Sequence, residues 1–282
     1  MGKTMEAEYS DSKTDGSGFG REQIGQALHT KWAARNLFFH EVTGSTNTDA
    51  ATLGREGAPH GTLVVADQQQ SGRGRHGRVW ESPAGSNIFM SILLRPQIPA
   101  DKAPMLTIVM ALAMAEGISD LCGIQAGIKW PNDIVINRHK ICGILTEMHL
   151  NGDGSIADVV IGDGINVNTE SFPENIRDMA GSLLTETGKK TDRNVLVAAV
   201  MQHFETDYEA FCKAVSLAPL KDAYEKKLLN MNSSVRVLDP AGEYTGTALG
   251  ITETGELIVE HDGREVFVNA GEVSVRGLYG YV

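Results

Sequence analysis

The 282-residue chain sets 25 Lys and Arg against 36 Asp and Glu, a formal net charge of −11. That balance excludes general binding to nucleic acid or to anionic membranes, which needs a broad basic face. With 41% hydrophobic and 22% charged residues, the composition is that of a globular chain holding one large domain, or a domain plus a small module.

In chain order, residues 1–20 are rich in Gly, Ser, Asp, Thr and Lys and predict a disordered tail, with no room upstream for a winged or helix-turn-helix domain. Ile24, Leu28 and Trp32 at i, i+4 and i+8 predict a short amphipathic helix over 21–32. Ser45, Thr46 and Asn47 read as the cap of a helix over 49–57. Residues 62–67 and 87–94 predict buried strands, and 104–122 an apolar, buried helix. Beta-rich runs follow at 127–130, 134–137, 140–150 and 156–168, joined by Asn-Arg-His and Asn-Gly-Asp-Gly turns. They predict a meandering, largely antiparallel sheet. Asp192 starts a long helix with Val197, Val200, Phe204, Tyr208, Phe211 and Val215 on one face, and 220–229 a second. Short strands near 234–239, 243–251, 256–260, 264–268 and 272–276, separated by Gly turns, predict a small β-barrel. The expected domains are a tail at 1–20, a main domain at 21–231 and a terminal domain at 232–282.

Cys122, Cys142 and Cys212 are odd in number and form no C-x-x-C pair, which predicts reduced thiols in a cytoplasmic protein rather than a disulfide framework or a zinc site. No charged region followed by an apolar run marks a secretory signal. The uncharged stretch 103–115 is too short to cross a bilayer.

Four constellations carry chemistry. Gly72 to Trp80 reads Gly-Arg-Gly-Arg-His-Gly-Arg-Val-Trp. It is either a solvated hairpin or a loop that wraps an anion, its glycines admitting close backbone approach and its arginines supplying planar donors. Lys129-Trp130-Pro131-Asn132-Asp133 is either a strand end or a cation, an amide and a carboxylate gathered at one terminus, where Asp133 beside a phosphate would hold Mg²⁺. Lys140, with Gly143 keeping one strand face open, is either a solvated end residue or a fixed ammonium facing a phosphorus centre. Gly162 to Asn168 is either a turn or a strand edge from which Asn166 donates to a ligand. The eight histidines show no i, i+4 metal spacing, Cys142 reads as core, and no G-x-S-x-G elbow supports a Ser/His/Asp hydrolase.

In order and spacing, these strings resemble the biotin protein ligases, also called biotin–[acetyl-CoA-carboxylase] ligases or holocarboxylase synthetases. The resemblance spans about 21–282, including Gly271 to Arg276. It implies an α+β fold: a mixed, largely antiparallel sheet flanked by helices, of the class II aminoacyl-tRNA-synthetase and biotin ligase type, with a small C-terminal Src-homology-like β-barrel. The implied activity is ATP-dependent conversion of biotin to biotinyl-5′-AMP, then transfer to a lysine of a carboxylase carrier domain. By resemblance, Ser45, Thr46 and Gln69 hydrogen-bond the ureido ring, and Asn47 and Gly143 belong to the same biotin set. Gly72 and Arg73 lie against the ligand, with Arg73 also on the adenylate. Trp80 packs beside biotin and anchors the loop. Arg75 and Lys140 are the catalytic pair at the carboxylate–phosphate junction. Asn132 and Asp133 serve ATP and Mg²⁺, while Asn166 and Arg276 serve the adenylate.

Two positions depart from the pattern. His76 stands where many members carry arginine, and Asp163 where the residue is usually small or apolar, either disturbing the site or facing away. The resemblance is to the ligase-only class, without DNA binding, without a membrane, and with a homodimer as a possibility through strand edges or the 87–94 region. The rival readings are a lipoate- or octanoyl-transferring enzyme, a biotin-dependent regulator lacking its DNA-binding domain, and a catalytically silent adenylate binder.

Overall fold

A computed structural model describes residues 18–77, 80–239, 242–270 and 274–277, with main chain only for His76 and 274–277. Seven strands form one sheet: β1 (Leu37–Thr43), β2 (Thr62–Gln69), β3 (Ile88–Leu94), β4 (Gly127–Lys129), β5 (Asp133–Ile136), β6 (His139–Leu150) and β7 (Ile156–Ile165), in the order β1-β2-β3-β7-β6-β5-β4. β1 and β2 run parallel and every other neighbouring pair is antiparallel. The helices are α1 (Arg21–Ala27), α2 (Thr46–Arg55), α3 (Leu106–Cys122), α4 (Leu183–Thr187), α5 (Arg193–Ala214) and α6 (Lys221–Lys227).

Strand alternation assigns the two faces of this sheet. Leu63, Val65, Met90, Ile92, Ile144, Val159 and Ile161 join the main core with α3 and α5. Val64, Leu93 and Val160 point the other way and pack under Ala50 and Ala51 of α2. Because α2 is short, it covers only part of its face. The continuation of β6 and β7 stays open, at Gly143, Gly162 and Gly164, and there the site lies.

Five more strands, β8 (Ser234–Leu238), β9 (Tyr244–Ile251), β10 (Leu257–His261), β11 (Arg264–Val268) and β12 (Ser274–Gly277), form an antiparallel sheet in the order β11-β10-β9-β8-β12. This is the small C-terminal β-domain expected from the sequence, and no pairing among the described residues joins β11 to β12 to close it as a barrel. Trp130 ties it to the larger sheet: its indole N–H donates to Gly255 O at 3.0 Å, and its main-chain N–H to Asn230 Oδ1 at 3.0 Å.

Several boundaries differ from expectation for physical reasons. The first helix ends at Ala27, not at residue 32, because the main-chain N–H groups of Lys31, Trp32 and Ala33 converge on the Glu205 carboxylate at 2.7–3.0 Å. The expected tail stops short of Phe19, which is buried edge-on to Phe39 and under the Arg193 guanidinium; residues 1–17 lie outside the described residues. The 87–94 strand is fully buried between β2 and β7 and offers no edge for a second copy. Together with the turn before it, α3 makes a 23-residue helical stretch, Ala100–Cys122, whose most apolar 18 residues have a mean hydropathy of 1.6. Its length and composition would suit a membrane span, yet α3 packs on α5 and the sheet as a core helix.

Candidate functional site

A cavity of about 870 Å³ opens on the α2 face of the large sheet. Ser45, Thr46, Asn47, Gln69, Arg73, Arg75, Trp80, Asn132, Asp133, Lys140, Gly143 and Asn166 all line it, so one space gathers nearly every residue singled out from the sequence. Gly72 lies under its rim, where an added Cβ would come within 2.5 Å of Trp80 O and 2.8 Å of Ser82 Oγ. Arg276 sits on β12, with its side chain outside the described residues. The same holds for His76.

At one end is a polar floor. The Thr46 N–H and hydroxyl both donate to Gln69 Oε1, at 2.9 and 3.1 Å. The Gln69 amide N–H donates to Ser82 Oγ at 3.3 Å, and Ser82 Oγ to Trp80 O at 3.1 Å. Ser45 occupies the N-cap position of α2 but makes no capping bond with its side chain, which leaves its hydroxyl for other work. Asn47 is not a cap either. Its Nδ2 donates to Glu147 Oε2 at 2.7 Å, and its Oδ1 accepts from Ser91 Oγ at 2.6 Å.

The middle is a flat platform. Gly143 and Gly164 are direct partners across β6 and β7, and the Trp80 indole lies on both. A Cβ on Gly164 would stand 2.5 Å from the indole Nε1, and one on Gly143 3.0 Å from the ring. The absence of two side chains is therefore what lets Trp80 lie flat.

At the other end are the charges. Lys140 Nζ is 2.5 Å from Asp133 Oδ1 and 5.4 Å from the Trp80 ring centroid. Lys140 is held from its main chain, donating to Met179 O at 2.7 Å and accepting from Gly181 N at 3.0 Å. Arg75 Nη1 donates to Asn132 Oδ1 at 3.0 Å, and Nη2 to Ala270 O in the turn after β11. The Asn132 amide donates in turn to Ile144 O at 3.0 Å. Asn166 spends its side-chain N–H on Gly181 O at 3.0 Å, so it shapes the wall beside Lys140. Among the described residues no three His, Cys, Asp or Glu side chains converge as a metal cage. Asp133 alone fits only the mode in which Mg²⁺ takes one carboxylate and completes its shell with phosphate oxygens and water.

Asp163 answers the question its sequence position raised. Gly162 and Gly164 face Asn47 and Trp80, so alternation turns Asp163 to the opposite face. There its cross-strand partners are Met90 and Ile144, both core residues. It is 4% exposed, and neither carboxyl oxygen has a hydrogen-bond partner. Burial pushes the Asp163 carboxyl well above the usual carboxylate range. The neighbouring Cys142 thiol is also pushed well up, first by burial and then by Asp163.

Sequence reasoning missed Ser91, Glu147 and Ser82 as site-shaping residues. Ser91 sits inside the apolar run Ile88–Leu94, and Glu147 on a strand whose outer half is polar; each contacts a residue far away in sequence, which no local pattern encodes.

Two family models match the chain: the biotin/lipoate A/B protein ligase family over residues 39–166, and the biotin protein ligase C-terminal domain over 231–276. The bifunctional ligase/repressor BirA of Bacillus subtilis is 41% identical over 240 residues, covering 84% of this chain and 73% of that protein. The biotin–[acetyl-CoA-carboxylase] ligase of Mycobacterium tuberculosis is 32% identical, over 85% of this chain and 88% of its own. Among solved structures, the biotin protein ligase of Aquifex aeolicus in complex with biotin and ATP superposes with a TM-score of 0.75 at 31% identity, covering 86% of this chain and 99% of that one.

Proposed function

The chain belongs to the biotin protein ligases of the biotin/lipoate A/B protein ligase family, and from that membership we propose how its cavity makes and spends an acyl-adenylate. The observation that carries the reading is the meeting, in one cavity, of the Thr46–Gln69 floor, the Trp80 platform and the Lys140–Asp133–Asn132–Arg75 group.

The floor suits a cyclic urea: beyond the bonds already made, the Gln69 amide keeps one N–H for a ring carbonyl and the Thr46 hydroxyl one lone pair for a ring N–H. The platform and Trp80 take the apolar rings and chain of biotin. That brings the biotin carboxylate to Lys140 and Arg75. A carboxylate oxygen attacks the α-phosphorus of ATP, the bond to the bridging oxygen breaks, and biotinyl-5′-AMP and pyrophosphate form. Two anions must meet, so the ammonium of Lys140 and the guanidinium of Arg75 act by offsetting their charge. In the second step, the neutral ε-amine of an acceptor lysine attacks the acyl carbon. AMP leaves with the bonding pair, and the amine sheds a proton to give the amide.

Asp133 would hold Mg²⁺ on the nucleotide, and the ion would supply further charge neutralisation at the phosphates. Its pairing with Lys140 gives the carboxylate a second task, keeping the ammonium aimed before substrate arrives. Ser45, Gly72 and Arg73 belong to the biotin end, Asn132 and Asn166 to the nucleotide end. Arg276, on the strand beside β8, is assigned to the adenylate from family resemblance. The acceptor is the carrier domain of a biotin-dependent carboxylase, the reaction is cytoplasmic in keeping with three free cysteines, and a homodimer would form through an open strand edge.

Incubation with ATP, Mg²⁺, radiolabelled biotin and a biotin-acceptor domain tests the proposal. Label on the acceptor lysine, absent with lipoate or octanoate, is the expected outcome. Equal transfer of lipoate would move the chain to the other branch of the family.

A further inference from the structure

Six side chains form a continuous path from the floor of the cavity to the glycine–arginine loop. Thr46 Oγ1 donates to Gln69 Oε1 at 3.1 Å. Ser91 Oγ lies 2.7 Å from Thr46 Oγ1 and 2.6 Å from Asn47 Oδ1. Asn47 Nδ2 donates to Glu147 Oε2 at 2.7 Å, and the other oxygen of Glu147 pairs with Arg73 Nη2 at 3.5 Å. The first part is buried, with Ser91 at 0%, Thr46 at 3% and Asn47 at 5% exposure, whereas Arg73 is at the surface.

Ser91 has one proton and two acceptors at nearly equal distance. A ligand N–H that donates to Thr46 Oγ1 takes that oxygen's second lone pair and weakens it as an acceptor, so Ser91 shifts its shared proton towards Asn47. A hydrogen bond accepted at Oδ1 polarises the amide and strengthens the donor at its other end. That end grips Glu147, whose free oxygen faces Arg73. As an exposed ion pair, Glu147–Arg73 has little strength of its own, which makes it easy to bias from the buried side.

We propose that Ser91, Asn47 and Glu147 are positioning residues that couple occupation of the Thr46–Gln69 floor to seating of Arg73 and the loop from Gly72 to Gly77. The proposal rests on the reading that the floor takes the ureido ring. Asn47 thereby leaves the set of direct ligand contacts, because both ends of its amide are already committed within the protein.

The test is hydrogen exchange of the 72–77 main chain with and without biotin, alongside calorimetric biotin binding and steady-state adenylation. In the full-length protein, biotin slows exchange of this segment. Ser91→Ala and Glu147→Gln still bind biotin but lose the ligand-induced protection, with the KM for biotin rising about tenfold and kcat changing less than about threefold. Glu147→Gln keeps an acceptor for Asn47 and sits half-exposed, so it holds the test open if Ser91→Ala fails to fold. Combining Glu147→Gln with Arg73→Gln adds nothing to Arg73→Gln alone, as expected if Glu147 acts only through Arg73. Wild-type chain that fails to bind biotin overturns the floor assignment and the relay with it. Biotin-dependent protection that persists in Glu147→Gln overturns the relay alone.

Discussion

Replacing Asp163 by alanine should stabilise this protein, and more so as pH rises. The side chain is buried against Met90 and Ile144 with both oxygens unpartnered. A buried polar group without partners costs about 1–3 kcal/mol even when neutral. The ionised form is worse placed still, and burial raises its folded-state pKa. Below the ordinary aspartate value of about 3.9, folded and unfolded chains both keep the proton, and wild type has its full stability. As pH climbs past that value the unfolded chain releases the proton first, so wild type loses about 1.4 kcal/mol per pH unit until the folded-state pKa is passed. Asp163→Ala lacks this slope. Urea titrations of both proteins at steps from pH 4 to pH 8 measure it, and the gap should open steadily in favour of the variant. Parallel profiles would refute the reasoning, because they would mean that the carboxyl ionises alike in both states. Biotin adenylation should survive, since the side chain lies on the face away from the cavity.

The other predictions concern the site and its frame. Lys140→Ala should lower adenylate formation about 10²- to 10³-fold, read in single turnover, with a far smaller proportional change in melting temperature; equal losses would make Lys140 structural. Gly164→Ala places a Cβ 2.5 Å from the Trp80 indole and should raise the biotin KM at least about tenfold while the chain still melts cooperatively. Glu205→Ala orphans the N–H groups of Lys31, Trp32 and Ala33 and should cost about 3 kcal/mol in urea. Burial raises the Glu205 carboxyl, but those three main-chain bonds outweigh it and hold it below its ordinary value. Its contribution is therefore complete above that value and lost as pH falls, the reverse of Asp163. Cys142, fully buried with its thiol pushed up, should resist alkylation in the native state when titrated with iodoacetamide.

The glycine-separated strands of the small sheet were legible because each turn punctuates a short alternating run, and α5 because Asp192 caps it through the N–H groups of Asn194 and Val195. β1 was not. Only Leu37 in Leu37–Thr43 is buried, and its His-Glu middle gives an edge strand no two-residue signature. The cavity's residues were legible as strings with unusual chemistry, and cross-strand pairing explains why strings so far apart meet. The relay was illegible, since Ser91 reads as one polar residue in an apolar strand and Glu147 as a solvated one. Nor does composition disclose where a given side chain spends its hydrogen bonds. Asn47 and Asn166 illustrate this, both pointing at the site and both engaged within the protein.

The apolar stretch Ala100–Cys122 has a cost during synthesis. Its helical partner α5 begins at Arg193, roughly seventy residues later, so at about 5–20 residues per second the ribosome leaves α3 without that cover for several seconds. β6 and β7 emerge in the interval and can shield one side only. The nascent chain thus passes through a window in which its greasiest segment is half dressed, and a ribosome stalled before Arg193 would carry a chaperone substrate rather than a folding enzyme.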